Sequence, residues 1–229
     1  MDALDNWVWR ALTGPQAHLS EGSGEARRYE PTVSPFAAMP DEVTPAAWSA
    51  LAELMAQDEV AVLFRAEVGP LPDGWAEMMR LPGLQMLGPP PGRPRPSGPD
   101  VDVELLTADD VPAMVELVGL TQPGPFEART IELGTYLGVR DGSRLIAMAG
   151  QRMRLEGYTE ISAVCTRSDH QGKGLAGVLV ERLVEEIHRR GDVPFLHAAS
   201  TNVMAISRYR SLGFTTRREV EAVAFTVIL

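Results

Sequence analysis

Hydrophobic and polar positions follow two different periods along the chain, and each change of period marks an element. Apolar and β-branched residues dominate 160–166, glycines interrupt at 172 and 174, and Leu175, Val178, Leu179, Leu183 and Ile187 then recur at three and four. That order predicts strand, glycine loop, helix. Glu181, Glu185, Glu186, Arg189 and Arg190 take the other helical faces, and Gly191 supplies a stop. Further strands are expected at 101–105, 136–139, 144–153, 193–199 and 221–229, with Asp141-Gly142 as a hairpin turn between the second and third. Helices are expected from a capping-box-like start at Thr107 through Val111, Met114, Val115 and Val118, then at 126–133 and 203–212. Before these lie a short helix over 5–12, a turn at 20–24, a helix over 46–55 with Trp48, Leu51, Leu54 and Met55 inward, and a strand at 60–64. Proline and glycine crowd 88–99, where neither helix nor sheet can be sustained, because proline lacks a donor and restricts its predecessor. The expected organisation is a first α/β region, 1–92, a linker, 93–100, and a second region, 101–229.

The glycine loop carries the first chemical suggestion. A helix start leaves backbone N–H groups without intrahelical partners and adds about half a positive charge from the macrodipole, so anions bind there. Gly172, Gly174 and Gly177, together with Ala176, remove side chains that would hold a pyrophosphate away. The loop lacks both the Lys-Ser/Thr ending of a Walker A motif and the full dinucleotide fingerprint. Lys173, the chain's only lysine, sits inside it, where with Arg167 and His170 it either attracts phosphate or is simply solvated.

Two signatures then give the loop a context. Gln171, Gly174 and Ala176 match a Q/R-x-x-G-x-G/A acyl-CoA loop, and Asn202, Ala205, Tyr209, Leu212, Gly213 and Phe214 match N-x-x-A-x-x-x-Y-x-x-L-G-F downstream. On these residues the stretch 101–229 resembles the GNAT superfamily of acyl-CoA-dependent N-acetyltransferases. The resemblance implies an α/β fold with a mixed, mostly antiparallel sheet flanked by helices. It also implies acetyl-CoA as co-substrate, held by Val164, Thr166, Gln171, Gly172, Lys173, Gly174, Leu175, Ala176, Gly177 and Asn202. The implied reaction is transfer of an acetyl group to a primary amine of a small molecule or peptide by direct attack. A non-catalytic acyl-CoA sensor is the alternative. Residues 1–92 carry no comparable signature and are read as a degenerate copy of the same fold, a cap over the substrate, or a dimerisation element giving a homodimer.

Under that resemblance Tyr209 takes the position of the acid that protonates the departing thiolate, since a phenol stays protonated at neutral pH. Glu160, on the strand leading into the acyl site, takes that of the base, with a water relay as rival. Asn202 is equally suited to bonding the cofactor arm and to capping a helix. Cys165 reads as a small core residue, because direct transfer needs no acyl-enzyme. His170, His188 and His197 show no metal-ligand spacing, so no metal is expected. Arg129, Glu132, Tyr136, Arg152 and Tyr158 are candidates for the acceptor side.

Composition narrows this further. In 229 residues, 45% hydrophobic residues suffice for a substantial core, and a net charge of −10 disfavours nucleic acid while mildly favouring a cationic substrate. One cysteine excludes an internal disulfide and fits a reducing cytoplasm. The start of the chain lacks a basic, then apolar, signal, and no long apolar run suggests a membrane span. A cytoplasmic protein with no nucleic-acid or membrane partner is the expectation.

Overall fold

The computed structural model describes residues 2–93 and 98–228. Part of the expected linker, 94–97, and the last residue of the expected closing strand lie outside them. From the first region come α1 (Trp7–Leu12), β1 (Ser20–Glu21), β2 (Arg27–Tyr29), β3 (Phe36–Ala38), α2 (Pro45–Glu53), β4 (Ala61–Arg65) and β5 (Trp75–Leu87). After the linker follow β6 (Glu104–Leu106), α3 (Val111–Thr121), β7 (Tyr136–Asp141), β8 (Arg144–Leu155), β9 (Tyr158–Thr166), α4 (Leu175–Arg189), β10 (Val193–Ala199), α5 (Val203–Ser211) and β11 (Thr215–Val227).

All the strands join one mixed sheet in the order β1-β2-β3-β4-β11-β5-β10-β9-β8-β7-β6. Neighbours are antiparallel except β3 with β4 and β9 with β10. The chain therefore crosses the linker without leaving the sheet: β5, from before it, lies between β10 and β11, from after it. Pattern reading did not find β5, because Pro82-Gly83 interrupts it and Met, Leu and Glu give no alternation. The proline is tolerated because its carbonyl still accepts from Ser200 N (3.0 Å) and only the return bond is missing, at the point where β10 ends.

Alternate residues of β8 show how the layers form. Ala147 and Ala149 belong to a core with Leu175, Leu179, Leu183 and Ile187 of α4, while Met148 belongs to one with Met114 and Leu117 of α3. Farther along, Met153 and Leu155 join Trp7, Val8 and Leu12 of α1. Helices α4 and α5 thus cover one face, and α1 and α3 the other. Thr107 starts its segment as the pattern predicts, its amide donating to Asp110 Oδ2 at 2.8 Å.

Candidate active site

The parallel pairing of β9 with β10 runs only from Tyr158 opposite Val193 to Ile161 opposite Leu196. Beyond it, His197, Ala198 and Ala199 stay with β5, whereas Ser162, Cys165 and Thr166 stay with β8. The two strands part, leaving a wedge between them. On its β9 side the register with β8 jumps from Gly150–Ser162 to Met148–Cys165, one extra residue in β9, and Ala163 has a φ of 52°. This is a β-bulge beside the wedge, holding a non-glycine residue in the left-handed region and breaking the ladder with β8 locally.

Past Thr166 a short 3-10 turn, Ser168–His170, leads into the glycine loop. Gln171 donates from its side-chain amide to Thr166 O at 3.3 Å, folding the loop back on the strand end. Gly174 caps α4 with a φ of 83°, a conformation costly for any residue with a Cβ, and among the described residues no side chain caps the first turn. Leu175 is buried in the sheet contact, Gly174 is half-buried, and Gly172 and Lys173 are exposed. Gly177 is bare for another reason: a Cβ there would meet Arg208 Nη2 of α5 at 2.0 Å. An exposed arginine therefore rests on the first turn of α4.

Val164 and Thr166 line the β9 edge of the wedge, and the hydroxyl of Thr166 is buried without a hydrogen-bond partner among the described residues. An orphaned buried hydroxyl costs about 1–3 kcal/mol unless something bonds it, so this wall fits a ligand with polar amide groups. Asn202 caps α5, its Oδ1 accepting from Ala205 N at 3.1 Å, and its side chain is exposed. Tyr209 packs on the α4-side core at 5.9 Å from the Phe214 ring. Burial pushes its phenol up to about 12, with Cys165 across the wedge adding to the shift, so it is a proton donor at neutral pH. Burial likewise raises the Cys165 thiol to about 11, despite a hydrogen bond with Thr121. At neutral pH it is a poor nucleophile.

Glu160 sits at the vertex of the wedge but has no free face. It is fully buried; Arg152 donates to it twice, Nη2 to Oε1 at 2.6 Å and Nε to Oε2 at 2.9 Å, and His197 Nδ1 lies 2.7 Å from Oε1. Burial alone would raise this carboxyl, but Arg152 and then His197 hold it down at about 2. Such an anion is too weak a base, and too enclosed, to take a proton from an ammonium group directly. This enclosure weighs against the general-base expectation for Glu160. Complementary charges on three neighbouring strands were the available signal: Arg152 on β8, Glu160 on β9 and His197 on β10.

Of the acceptor-side candidates, Tyr136 is enclosed beneath Gly150, whose added Cβ would meet its ring at 2.2 Å, and Arg152 belongs to the vertex. Arg129 makes surface ion pairs with Glu132 and Glu30, and Tyr158 packs edge-on to Phe195. Among the described residues no cluster of three His, Cys, Asp or Glu could hold a metal ion, and no helix is long and apolar enough to cross a membrane.

Comparison with known proteins supplies the family. The model of the FR47-like protein family matches residues 136–223. A [ribosomal protein bS18]-alanine N-acetyltransferase of Salmonella typhimurium strain LT2 is 28% identical over 118 residues, which is 49% of this chain and 79% of that protein. A solved structure from Novosphingobium aromaticivorans DSM 12444, assigned to the GNAT-family acetyltransferases, is 38% identical with full coverage of both chains and a TM-score of 0.90. A GCN5-related N-acetyltransferase from Kribbella flavida, 18% identical over 96% of this chain and 92% of its own, shares the fold at a TM-score of 0.63. With the wedge, the bulge and the uncapped glycine start of α4 in place, this chain belongs to the GNAT family of N-acetyltransferases and is an acyltransferase.

Proposed function

We propose that the protein transfers an acetyl group from acetyl-CoA to a primary amine of a small molecule or peptide. The observation that carries this reading is the wedge between β9 and β10, which opens beside an uncapped glycine start of α4 and carries an orphaned hydroxyl on its wall. Acetyl-CoA would supply an activated acyl thioester and an anionic tail. The N–H groups at 172–176 and the Lys173 ammonium would hold the tail's phosphates. Val164, Thr166 and Asn202 would hold its amide-bearing arm, Asn202 while still capping α5.

In the transfer Tyr209 donates the proton that the leaving thiolate needs; its phenol carries that proton at neutral pH, as a donor must. The acceptor's own proton goes to water in the wedge rather than to Glu160. Similarity to an enzyme named for ribosomal-protein alanine supports an amine acceptor, and the chain's negative charge favours a cationic one. A cytoplasmic setting agrees with the single free cysteine.

The test is calorimetric titration with acetyl-CoA, using CoA and ATP for comparison, followed by thiol release over a panel of small and peptide amines. Micromolar binding selective for CoA species, with amine-dependent thiol release, is the expected result. Selective binding without release for any amine would reject acetyl transfer, and no binding would reject the cofactor site.

A further inference from the structure

The buried groups at the vertex, unused by the chemistry above, form a hydrogen-bond chain whose polarity is fixed from one end. Arg217 Nη1, which can only donate, bonds Gln85 Oε1 at 2.9 Å, and Gln85 Nε2 donates to Leu4 O at 3.2 Å. The amide of Gln85 can therefore lie only one way round. Its Nε2 also faces His197 Nε2 at 3.2 Å, so that ring nitrogen must be the acceptor. The imidazole proton then sits on Nδ1 and is donated to Glu160 Oε1. Burial lowers the pKa of His197, in keeping with a neutral ring.

The ring is held as tightly as its proton. Trp7 and Phe64 pack against it with centroids 4.5 Å and 4.4 Å away, and Arg152 lies over the Phe36 ring at 4.8 Å. Gln85, Leu4, Trp7, Phe36 and Phe64 all precede the linker, whereas Arg152, Glu160 and His197 follow it. His197 is also the first residue of β10 beyond its pairing with β9, and Glu160 lies on β9 one residue short of where that pairing ends. The bond between them is thus a clasp across the two strands at the point where they part.

We propose that His197, in its neutral Nδ1–H form, is a positioning residue for acetyl transfer. It fixes the angle at which β9 and β10 diverge, and through it residues 4–87 set the place of the thioester carbonyl. This rests on the acetyl-transfer reading. A merely structural histidine would affect stability whichever nitrogen bore the proton. A positioning one ties turnover to the Nδ1 donor.

The experiment pairs nitrogen NMR of the wild-type protein, with its histidines labelled, with His197→Asn and His197→Phe variants assayed for acetyl-CoA affinity and turnover. The spectrum is expected to show the Nδ1–H tautomer, without protonation between pH 6 and 8. His197→Phe keeps a ring between Trp7 and Phe64 but removes the donor. It is expected to lower kcat roughly 10- to 100-fold, since misplacement by about 1 Å costs that order, with acetyl-CoA affinity within about twofold of wild type. His197→Asn offers an amide donor near the Nδ1 position and should recover most of the loss. An Nε2–H tautomer would overturn the proposal even if neither variant folds. So would a His197→Phe protein with lowered Tm and normal kcat, or a His197→Asn protein as impaired as His197→Phe. Wild-type protein that binds acetyl-CoA but releases no thiol would instead reject the transfer reading, while the tautomer and the strand clasp would still be read from the spectrum.

Discussion

Replacing Glu160 by glutamine should be costly, and the structure indicates by how much. The side chain keeps its shape but loses its charge, leaving the guanidinium of Arg152, itself only 8% exposed, without a counter-ion. One Arg152 donor would also face the new amide NH2 group. Breaking a buried pair from one side typically costs about 3–5 kcal/mol. Arg152, and after it His197, hold the carboxyl well below the usual carboxylate range, as a strongly paired anion requires. Because the folded pKa lies below the unfolded one, this stabilisation is fully present above about pH 5 and is lost progressively as pH falls toward 2. Urea unfolding of wild type and Glu160→Gln from pH 8 to pH 3 should show a gap that is level above pH 6 and narrows in acid. Adding Arg152→Met to Glu160→Gln should recover part of the loss, since no charge is then stranded. A gap below about 1 kcal/mol at pH 7, or one unchanged down to pH 3, would refute the picture of a strongly coupled buried pair.

Other expectations follow from single positions. Tyr209→Phe should lower kcat by on the order of 100-fold while leaving acetyl-CoA affinity within about twofold, as measured by thiol release and calorimetry; equal losses in both would make Tyr209 a binding residue. Gly174→Val forces a β-branched residue into a φ of 83° and brings its Cβ to 3.1 Å from Pro99 Cδ, so both Tm and acetyl-CoA affinity should fall; retained affinity in calorimetry would contradict the loop assignment. Gly177→Ala should raise Tm by about 2–4 °C, because alanine gains about 1 kcal/mol in a helix and only the exposed Arg208 side chain has to swing aside. A lowered Tm in a thermal melt would mean that Arg208 cannot move.

The parts legible in the sequence were those where local signals and the fold agree. The α4 stripe, the Asp141-Gly142 turn and the capping sequence at Thr107 each needed only their own neighbours, and the structure has all three. Strand β5 was not legible, since its stability comes from β10 and β11 on either side and its composition carries none of it. The very short β1, β2 and β3 are likewise products of pairing. Within the site the loop could be read because glycine marks unusual backbone, whereas the bulge at Ala163 could not, alanine giving no sign of a left-handed φ. Glu160 was assigned to the correct strand, but the partners that disarm it come from two other strands.

The place of β5 also bears on how the molecule comes into being. Trp75 pairs with Val227 and Leu87 with Thr215, so more than the first third of the chain is finished before its partner from the last tenth exists. On a ribosome, β4 and β5 are translated long before β11 emerges, so the central strands of the sheet close last. Such long-range closure is slow, which predicts an extended interval in which the apolar edge of β5 is open to chaperones or to other chains. A gene fragment starting at residue 101 would encode every residue proposed above for the cofactor and the chemistry yet leave a vacant strand position between β10 and β11. The shorter chain would have to fill it with something else, most readily a strand from a second molecule.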